Sequence, residues 1–270
     1  MMHALGTNEN RFAEVLSRSI AVSLDVLNRD AELQTRTDRK YVLTPTQAAD
    51  MAQRFADECS VLEIDGLRSF VYETTYYDTP DRRLYLDTAR RRPFRFKVRV
   101  RRYADSDLSM LEVKTKNGRG RTVKYRTEVD HPQLAMLTTS MRAYVDECID
   151  TDLTTMLLPV LQTSFRRTTL LSNSGDVRCT IDHGLRGTDP DGNAAVPDII
   201  VLETKSENHA SGIDHWLWSQ GIRPARISKY ATAMASLNPS LPANHWNRIL
   251  GAHFRDAVEL VSSSPSPSPN

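Results

Sequence analysis

Residues 94–103 read Phe94-Arg95-Phe96-Lys97-Val98-Arg99-Val100-Arg101-Arg102-Tyr103. The period is two: Phe94, Phe96, Val98 and Val100 fall on one face of a strand, and Arg95, Lys97, Arg99 and Arg101 on the other. Residues 110–116 repeat the pattern, with Leu111 and Val113 against Glu112, Lys114 and Lys116. Asn117-Gly118 then marks a turn, with Gly118 and Gly120 as hairpin glycines, and the return strand sets Val123 and Tyr125 against Lys124, Arg126 and Glu128. Further strands are predicted at 70–77, 163–171, 177–182 and 198–205. Short alternating strands joined by turns predict an α+β chain built on an antiparallel sheet or barrel, not a doubly wound fold.

Helical spacing brackets the strands. Phe12, Val15, Leu16, Ile20, Leu24 and Leu27 form one apolar stripe over 11–28. A second helix is predicted from Pro45 to Cys59, with Thr44 as N-cap and Pro45 in its first turn. Others are expected at 132–148 and 210–220, with an N-terminal helix within 1–35 and a C-terminal helix within 241–260. The Ser/Pro tail over 261–270 is low in complexity and reads as disordered. No internal repeat or linker interrupts the chain before residue 260.

The 270 residues are 40% hydrophobic and 26% charged, an ordinary globular composition. Lys plus Arg number 35 against 34 Asp plus Glu, so a globally cationic nucleic-acid coat is not expected. Cys59, Cys148 and Cys179 are odd in number and never form a CxxC, which argues against a disulfide framework and a cysteine-rich zinc site. The absence of a long apolar run or signal core makes a cytoplasmic protein the expectation. The signatures GxxxxGK[ST], HExxH, GxSxG and GxGxxG are missing. Asp189-Pro-Asp-Gly192 is a calcium-loop fragment without its remaining ligands and reads as a turn. The seven histidines lack metal-ligand spacing.

What singles this chain out is charge on the strands. The polar faces over 97–128 carry Lys97, Arg99, Arg101, Lys114, Lys116, Lys124 and Arg126, against Glu112 and Glu128. One such strand is an ordinary solvated sheet face. Three in succession place like charges at cross-strand distance, which a free choice of surface would avoid. The basic face is therefore expected to line a groove or barrel interior that binds a polyanion. Stacked phosphates suit Arg forks and Lys point charges. Arg166, Arg167, Arg178 and Asp182 extend the set, and Glu203 and Lys205 end an otherwise apolar run. Among so many cations, Glu203 either holds Mg²⁺ or Mn²⁺ against phosphate or pairs with a neighbouring base.

Asp38–Leu43, Tyr77–Tyr85, Lys97–Tyr103, Leu111–Lys116, Arg121–Arg126, Arg167-Thr168, Arg178–Asp182, Leu202–Ser206 and Ile227–Tyr230 together resemble, in order, the VTC domain. This is the catalytic part of the vacuolar transporter chaperone polyphosphate polymerase and its bacterial relatives, in the triphosphate tunnel (CYTH-like) superfamily. The likeness runs over about 36–240. It implies a closed antiparallel β-barrel with a basic lumen. It also implies transfer of the γ-phosphate of ATP to a growing inorganic polyphosphate, with release of ADP and a need for Mn²⁺ or Mg²⁺. Carried over by position, Lys40, Arg99, Arg101, Lys114, Lys124, Arg126, Arg167 and Lys229 would hold phosphates, Ser228 would add a hydroxyl, and Glu203 would bind the metal. Lys97, Glu112, Lys116, Arg178, Asp182 and Lys205 are further lumen candidates, while Tyr77 and Asp78 would be structural.

Hydrolytic tunnel enzymes carry ExExK on their first strand. Here the stretch is Arg36-Thr37-Asp38-Arg39-Lys40, with one acid, which favours polymerase over triphosphatase. Neither the SPX domain nor the membrane helices of the eukaryotic subunits is visible, so a membrane-protein partner would serve export. The N-terminal helix would cap a tunnel mouth or dock on such a partner. A tunnel triphosphatase and a non-catalytic polyphosphate-binding subunit are the alternatives. Nucleic acid is disfavoured, because only Tyr103 and Tyr125 stand near the cations as stacking platforms.

Overall fold

The computed structural model describes residues 12, 14–29, 37–119, 121–130, 135–149, 153–207 and 209–261. The Ser/Pro tail beyond residue 261, Gly120, Arg36, the start of the 132–148 helix and the first eleven residues lie outside this set. The strands are β1 (Ala21–Val22), β2 (Thr37–Leu43), β3 (Cys59–Leu62), β4 (Phe70–Asp78), β5 (Arg95–Tyr103), β6 (Leu108–Lys116), β7 (Thr122–Glu128), β8 (Leu158–Ser172), β9 (Val177–Thr188), β10 (Ala194–Ala195), β11 (Ile200–Ser206) and β12 (Val258–Glu259). The helices are α1 (Leu24–Arg29), α2 (Pro45–Arg54), α3 (Arg83–Ala89), α4 (Thr139–Ile149), α5 (Gly212–Ser219), α6 (Lys229–Leu237) and α7 (Asn247–His253).

All strands join one 12-stranded sheet whose main path runs β7-β6-β5-β4-β8-β9-β11-β2. Every neighbouring pair on that path is antiparallel. β3 and β1 branch from β8, and β10 and β12 from β9. The expected closed barrel is corrected here to a strongly curled half-barrel: among the described residues no ladder joins β7 to β2. The edge strand β7 leaves Lys124, Tyr125 and Arg126 exposed, and charge on an edge strand deters a further strand from adding there.

Helices cover the convex face. α2 starts on a capping box, in which Thr44 Oγ1 accepts from Gln47 N and Gln47 Oε1 accepts from Thr44 N. It ends at Arg54, short of the expected Cys59, because Cys59 already begins β3. α2 and α5 bury Met51, Phe55, Ile213 and Leu217 against Tyr41, Ile181 and Leu202. Asp214, fully buried, caps α5 and also accepts from Tyr41 Oη (2.6 Å) and Thr204 Oγ1 (2.7 Å), so one carboxylate ties helix to sheet. α4 packs Met141 and Val145 on Val98, Val100, Leu111 and Val113, the apolar faces of β5 and β6.

The predicted 11–28 helix is broken. Residues 14–18 are helical, β1 pairs in parallel with β3, and α1 follows. Pairing with the β3 edge outcompetes helix propensity there, leaving Ile20 69% exposed while Phe12, Val15, Leu16 and Leu27 are buried. The predicted C-terminal helix shrinks to α7, after which Val258–Glu259 adds a strand to β10.

α6 enters the concave side. Ile227, Tyr230, Ala231 and Met234 pack on Tyr76, Leu161, Phe165 and Val201, which all belong to the inner face. The approach is close: a Cβ on Gly187 would lie 2.6 Å from Ala233 Cβ, so only glycine fits there. Tyr230 Oη donates to Asp78 (2.5 Å), whose carboxylate also accepts from the backbone N–H of Thr79, Leu84 and Tyr85. Burial outweighs these bonds and raises the Asp78 carboxyl above its ordinary value. Asp78 thereby joins α3 to α6 and fixes the end of α6 that points into the cleft.

Candidate phosphate-binding cleft

Registers bring the basic strands together on the inner face. Lys97 stands opposite Lys114, Arg99 opposite Glu112, Lys114 opposite Lys124, and Glu112 opposite Arg126. Across the cleft, Glu203 stands opposite Lys40 and Thr180, and Arg167 opposite Asp182. Lys229 and Ser228, at the N-terminal end of α6, complete the floor, with Lys97 Nζ 3.3 Å from Ser228 Oγ.

The acids organise the cations in pairs. Glu112, 2% exposed, binds Arg99 at 2.6 Å and Lys124 through its other oxygen. Asp182, 3% exposed, takes both Arg167 nitrogens at 2.6 and 2.8 Å and Lys229 Nζ at 2.5 Å. Glu203 binds Lys205 at 2.7 Å and Lys40 at 3.8 Å. Burial alone would raise these carboxyls, but their cations outweigh it. Glu112 falls to about 2 through Arg99, Arg101 and Lys124, and Glu203 to about 2 through Lys40 and Lys205. Asp182 is held well below the ordinary carboxylate range by Lys229 and Arg167.

Besides the exposed Arg126, three cations of this face have no acid within ion-pair distance among the described residues: Lys97, Lys114 and Arg101. Arg101, 8% exposed, donates only to Thr74 Oγ1, at 3.3 Å. Burial and neighbouring positive charge lower all three, Lys97 to about 7. The groups facing Lys97 are Lys114 on β6, Lys40 on β2, Arg99 and Arg95 on β5, and Ser228 on α6. A buried cation without a counter-charge is costly, and a bound polyanion removes that cost. Among the described residues the hydroxyls of Thr163 and Thr180, buried on the same face, have no hydrogen-bond partner.

Aromatic rings brace the floor, a feature hidden in the sequence because Tyr72, Tyr76 and Phe165 are spread over two strands. Arg101 and Arg167 lie 5.3 and 4.9 Å from the Tyr72 ring, and Lys229 Nζ 4.4 Å from that of Phe165. Burial would raise the Tyr76 phenol, yet Arg99, Arg101 and Lys229 outweigh it and lower it.

Of the residues singled out from sequence, Lys40, Lys97, Arg99, Arg101, Glu112, Lys114, Lys124, Arg126, Arg167, Asp182, Glu203, Lys205, Ser228 and Lys229 share this face. Lys114, Lys124 and Arg126 form an exposed rim, and Arg99, Arg101, Arg167 and Lys229 lie deeper. Arg178 stands on the same face by register, opposite Lys205, and its guanidinium donates to Leu27 O at 2.5 Å, which ties α1 to the cleft's edge. Lys116 stands beyond the floor, opposite Arg95. The acids were the weaker part of the sequence signal, because which cations a carboxylate gathers depends on register and curl.

The VTC domain profile matches residues 35–238. The chain belongs to the VTC domain family. No curated protein matches it. Solved structures that it resembles include an adenylyl cyclase-like protein from Hippeastrum, described as having a dominant triphosphatase activity, at TM-score 0.47 and 15% identity, over 77% of this chain and 98% of that one. An adenylate cyclase-like protein from Vibrio parahaemolyticus matches at TM-score 0.42 and 13% identity, over 73% and 97%. The S. pombe RNA triphosphatase matches at TM-score 0.29 and 9% identity, over 80% and 84%. As a VTC-domain chain, this protein is tied to the chemistry of triphosphate and polyphosphate. Among its described residues no helix is long and apolar enough to cross a membrane.

The lowered Lys97 predicts a proton linkage. Between about pH 7 and its unfolded value of 10.5, folded Lys97 binds fewer protons than the unfolded chain does. Its cost to stability is thus absent above the unfolded value, grows as pH falls and is complete below about 7. Polyanion binding restores the charge, so tripolyphosphate is expected to take up protons near pH 8. Calorimetry in two buffers of different ionisation enthalpy should show a larger uptake for wild type than for Lys97→Arg, which keeps its charge. Equal uptake in the two would remove Lys97 from the linkage.

Proposed function

We propose that this VTC-domain chain is a polyphosphate polymerase that transfers the γ-phosphate of ATP to the terminal phosphate of a growing chain and releases ADP. The observation that carries the reading is the charge arrangement of the cleft. Every deep carboxylate is already held by two cations, while Lys97, Lys114 and Arg101 are left for a polyanion. Phosphoryl transfer needs its donor and acceptor aligned and its equatorial charge stabilised, with little covalent help. Arg99, Arg101 and Arg167 would grip the phosphates from the floor, Lys40, Lys114, Lys124 and Arg126 from the rim, and Lys229 and Ser228 would steady the reacting end.

The acids also bear on the acceptor. Carboxylates held near or below about 2 are poor general bases. A polyphosphate end is already an anion and needs none, whereas an attacking water gains from one. This favours transfer to phosphate over hydrolysis.

Among the described residues no three of His, Cys, Asp and Glu converge on a metal position. A phosphate-bridging Mg²⁺ or Mn²⁺ asks for less, one or two carboxylates with substrate oxygens supplying the rest. Glu203, 16% exposed on the inner face, fits that demand. When bound there, the ion would neutralise phosphate charge. Glu203→Gln is expected to raise the metal concentration for half-maximal turnover at least tenfold. Unchanged metal dependence would leave Glu203 as the partner of Lys205 and Lys40 alone.

The deciding experiment is a single time course with ATP and Mn²⁺ that follows ADP, free phosphate and polyphosphate. ADP with long polyphosphate and little free phosphate is the expected result. ADP or AMP with free phosphate or pyrophosphate would make the chain a tunnel triphosphatase. Tight polyphosphate binding without turnover would make it a binding subunit. Export through a membrane-protein partner, and a cytoplasmic location for ATP supply, belong to the same proposal.

A further inference from the structure

The row of inner-face cations on β5 does not stop at the cleft floor. Same-face residues on a strand recur about every 6.6 Å, so Arg95 lies one such step beyond Lys97, directly opposite Lys116 on β6. There the strand ends and two loops begin. One carries Arg91 and Arg92, the other Arg119 and Arg121.

Phe94 brings the two loops together. A Cβ on Gly118 would lie 3.0 Å from Phe94 Cζ, so the ring rests on the glycine of the β6–β7 turn. Asn117 Oδ1 accepts from the backbone N–H of Arg119 and of Arg121, fixing that turn. Arg91, Arg92, Arg119 and Arg121 are exposed, while Arg95 and Lys116 are half-buried.

Among the described residues none of these six cations forms an ion pair. Elsewhere exposed arginines are found both ways among the described residues: Arg54 pairs with Glu58 and Arg186 with Glu259, while Arg223, Arg226 and Arg248 stand singly without an acid. Six unneutralised cations, four on touching loops and two on the strand ends beside them, repel one another, an arrangement a solvated surface normally avoids by interspersing acids. Continuity with the cleft selects the partner. A surface that received an anionic bilayer would want several apolar side chains free to insert, whereas the exposed aromatic of these loops is a single ring, Phe94, 72% exposed. Single-stranded nucleic acid would want free rings for stacking.

The geometry points to this collar as a track for the polyphosphate chain itself, holding phosphates that extend past the cleft. The inference rests on the reading of the cleft as a polyphosphate site. It makes long chains bind better than short ones through contacts outside the reacting centre.

The test uses the full chain carrying Arg92→Ala, Arg119→Ala and Arg121→Ala, all exposed positions, with a matched triple lysine variant as the charge-preserving control. Binding of long-chain polyphosphate and of tripolyphosphate is measured over a salt series. The alanine variant is expected to lose tenfold or more in long-chain affinity, to lower the slope of log K against log salt by roughly 2, and to keep tripolyphosphate affinity within twofold. The lysine variant should restore most of the long-chain affinity. Unchanged long-chain affinity in the alanine variant would overturn the track. So would wild-type affinity no better for long chains than for tripolyphosphate, with the cleft reading left standing. Loss of binding only to phosphatidylcholine/phosphatidylserine vesicles would assign the collar to a bilayer and overturn it as well. Wild-type protein that binds neither polyphosphate would sink the cleft reading, and the track with it.

Discussion

Replacing Asp182 by asparagine is expected to destabilise the chain by about 3–5 kcal/mol, the usual result of removing one partner from a buried ionic cluster. The carboxylate is almost wholly buried and neutralises two cations, Arg167 and Lys229, themselves 18% and 14% exposed. Without it both stay charged in a low-dielectric floor that already holds Arg101. A melting-temperature fall of about 10 °C should follow for a chain of this size. Tripolyphosphate should then recover stability, and by more in the variant than in wild type, because the ligand's oxygens take over the lost counter-charge. Thermal unfolding with and without tripolyphosphate checks both statements. A variant that melts within 2 °C of wild type would mean that the pairing of Asp182 with Arg167 and Lys229 does not hold the floor together. Equal ligand stabilisation of the two proteins would mean that phosphate does not reach Arg167 and Lys229. The same carboxylate sets a pH limit. Its folded pKa is depressed, so its contribution is fully present above the unfolded value of 3.8 and is lost as pH falls below that.

Arg99→Ala is expected to lower turnover with ATP about 10³-fold. Arginines that stabilise a transferring phosphoryl group are worth 10³ or more. Arg99 is placed for that role, deep on β5, gripped by Glu112 at 2.6 Å and 6.0 Å from the Tyr76 ring. The acid and the ring hold its fork in one place before substrate arrives, which is what a preorganised charge requires. Removing it leaves Glu112 paired with Lys124, so the fold should survive. Arg99→Lys keeps the charge without the fork and should recover only part of the rate. Steady-state kinetics, with a melting curve for each variant, make the comparison. Turnover within tenfold of wild type in the folded alanine variant would remove Arg99 from the reacting centre.

The alternating strands were plain in the sequence because a sheet with one apolar face writes a period of two into its residues. Lys97–Arg101 and Glu112–Lys116 needed no tertiary information to be placed on one face. α6 was not legible. Lys229–Leu237 is buried almost all round, with Tyr230, Ala231, Thr232, Ala233, Met234 and Ala235 all inside, so no polar stripe marks its period. α3 was missed for a related reason. Its start is set by the Asp78 carboxylate binding Leu84 and Tyr85 N–H groups, with Arg82 before it in a left-handed conformation (φ 61°).

What the sequence determined by itself was therefore the sign, the face and the order of the charges, and with them the antiparallel sheet and the polyanion chemistry. Those properties are local: alternation is read one residue at a time, and a run of like charges has few other uses. The tertiary structure decided which cations are left over. Glu112 and Glu203 meet their partners once strand register is set, and Asp182 gains Lys229 only once α6 has entered the sheet, joining residues as distant as Lys40 and Glu203 or Asp182 and Lys229. Openness of the sheet was likewise decided at that level, because strand pairing at an edge depends on how far the curl brings β7 towards β2, a quantity that no single strand encodes.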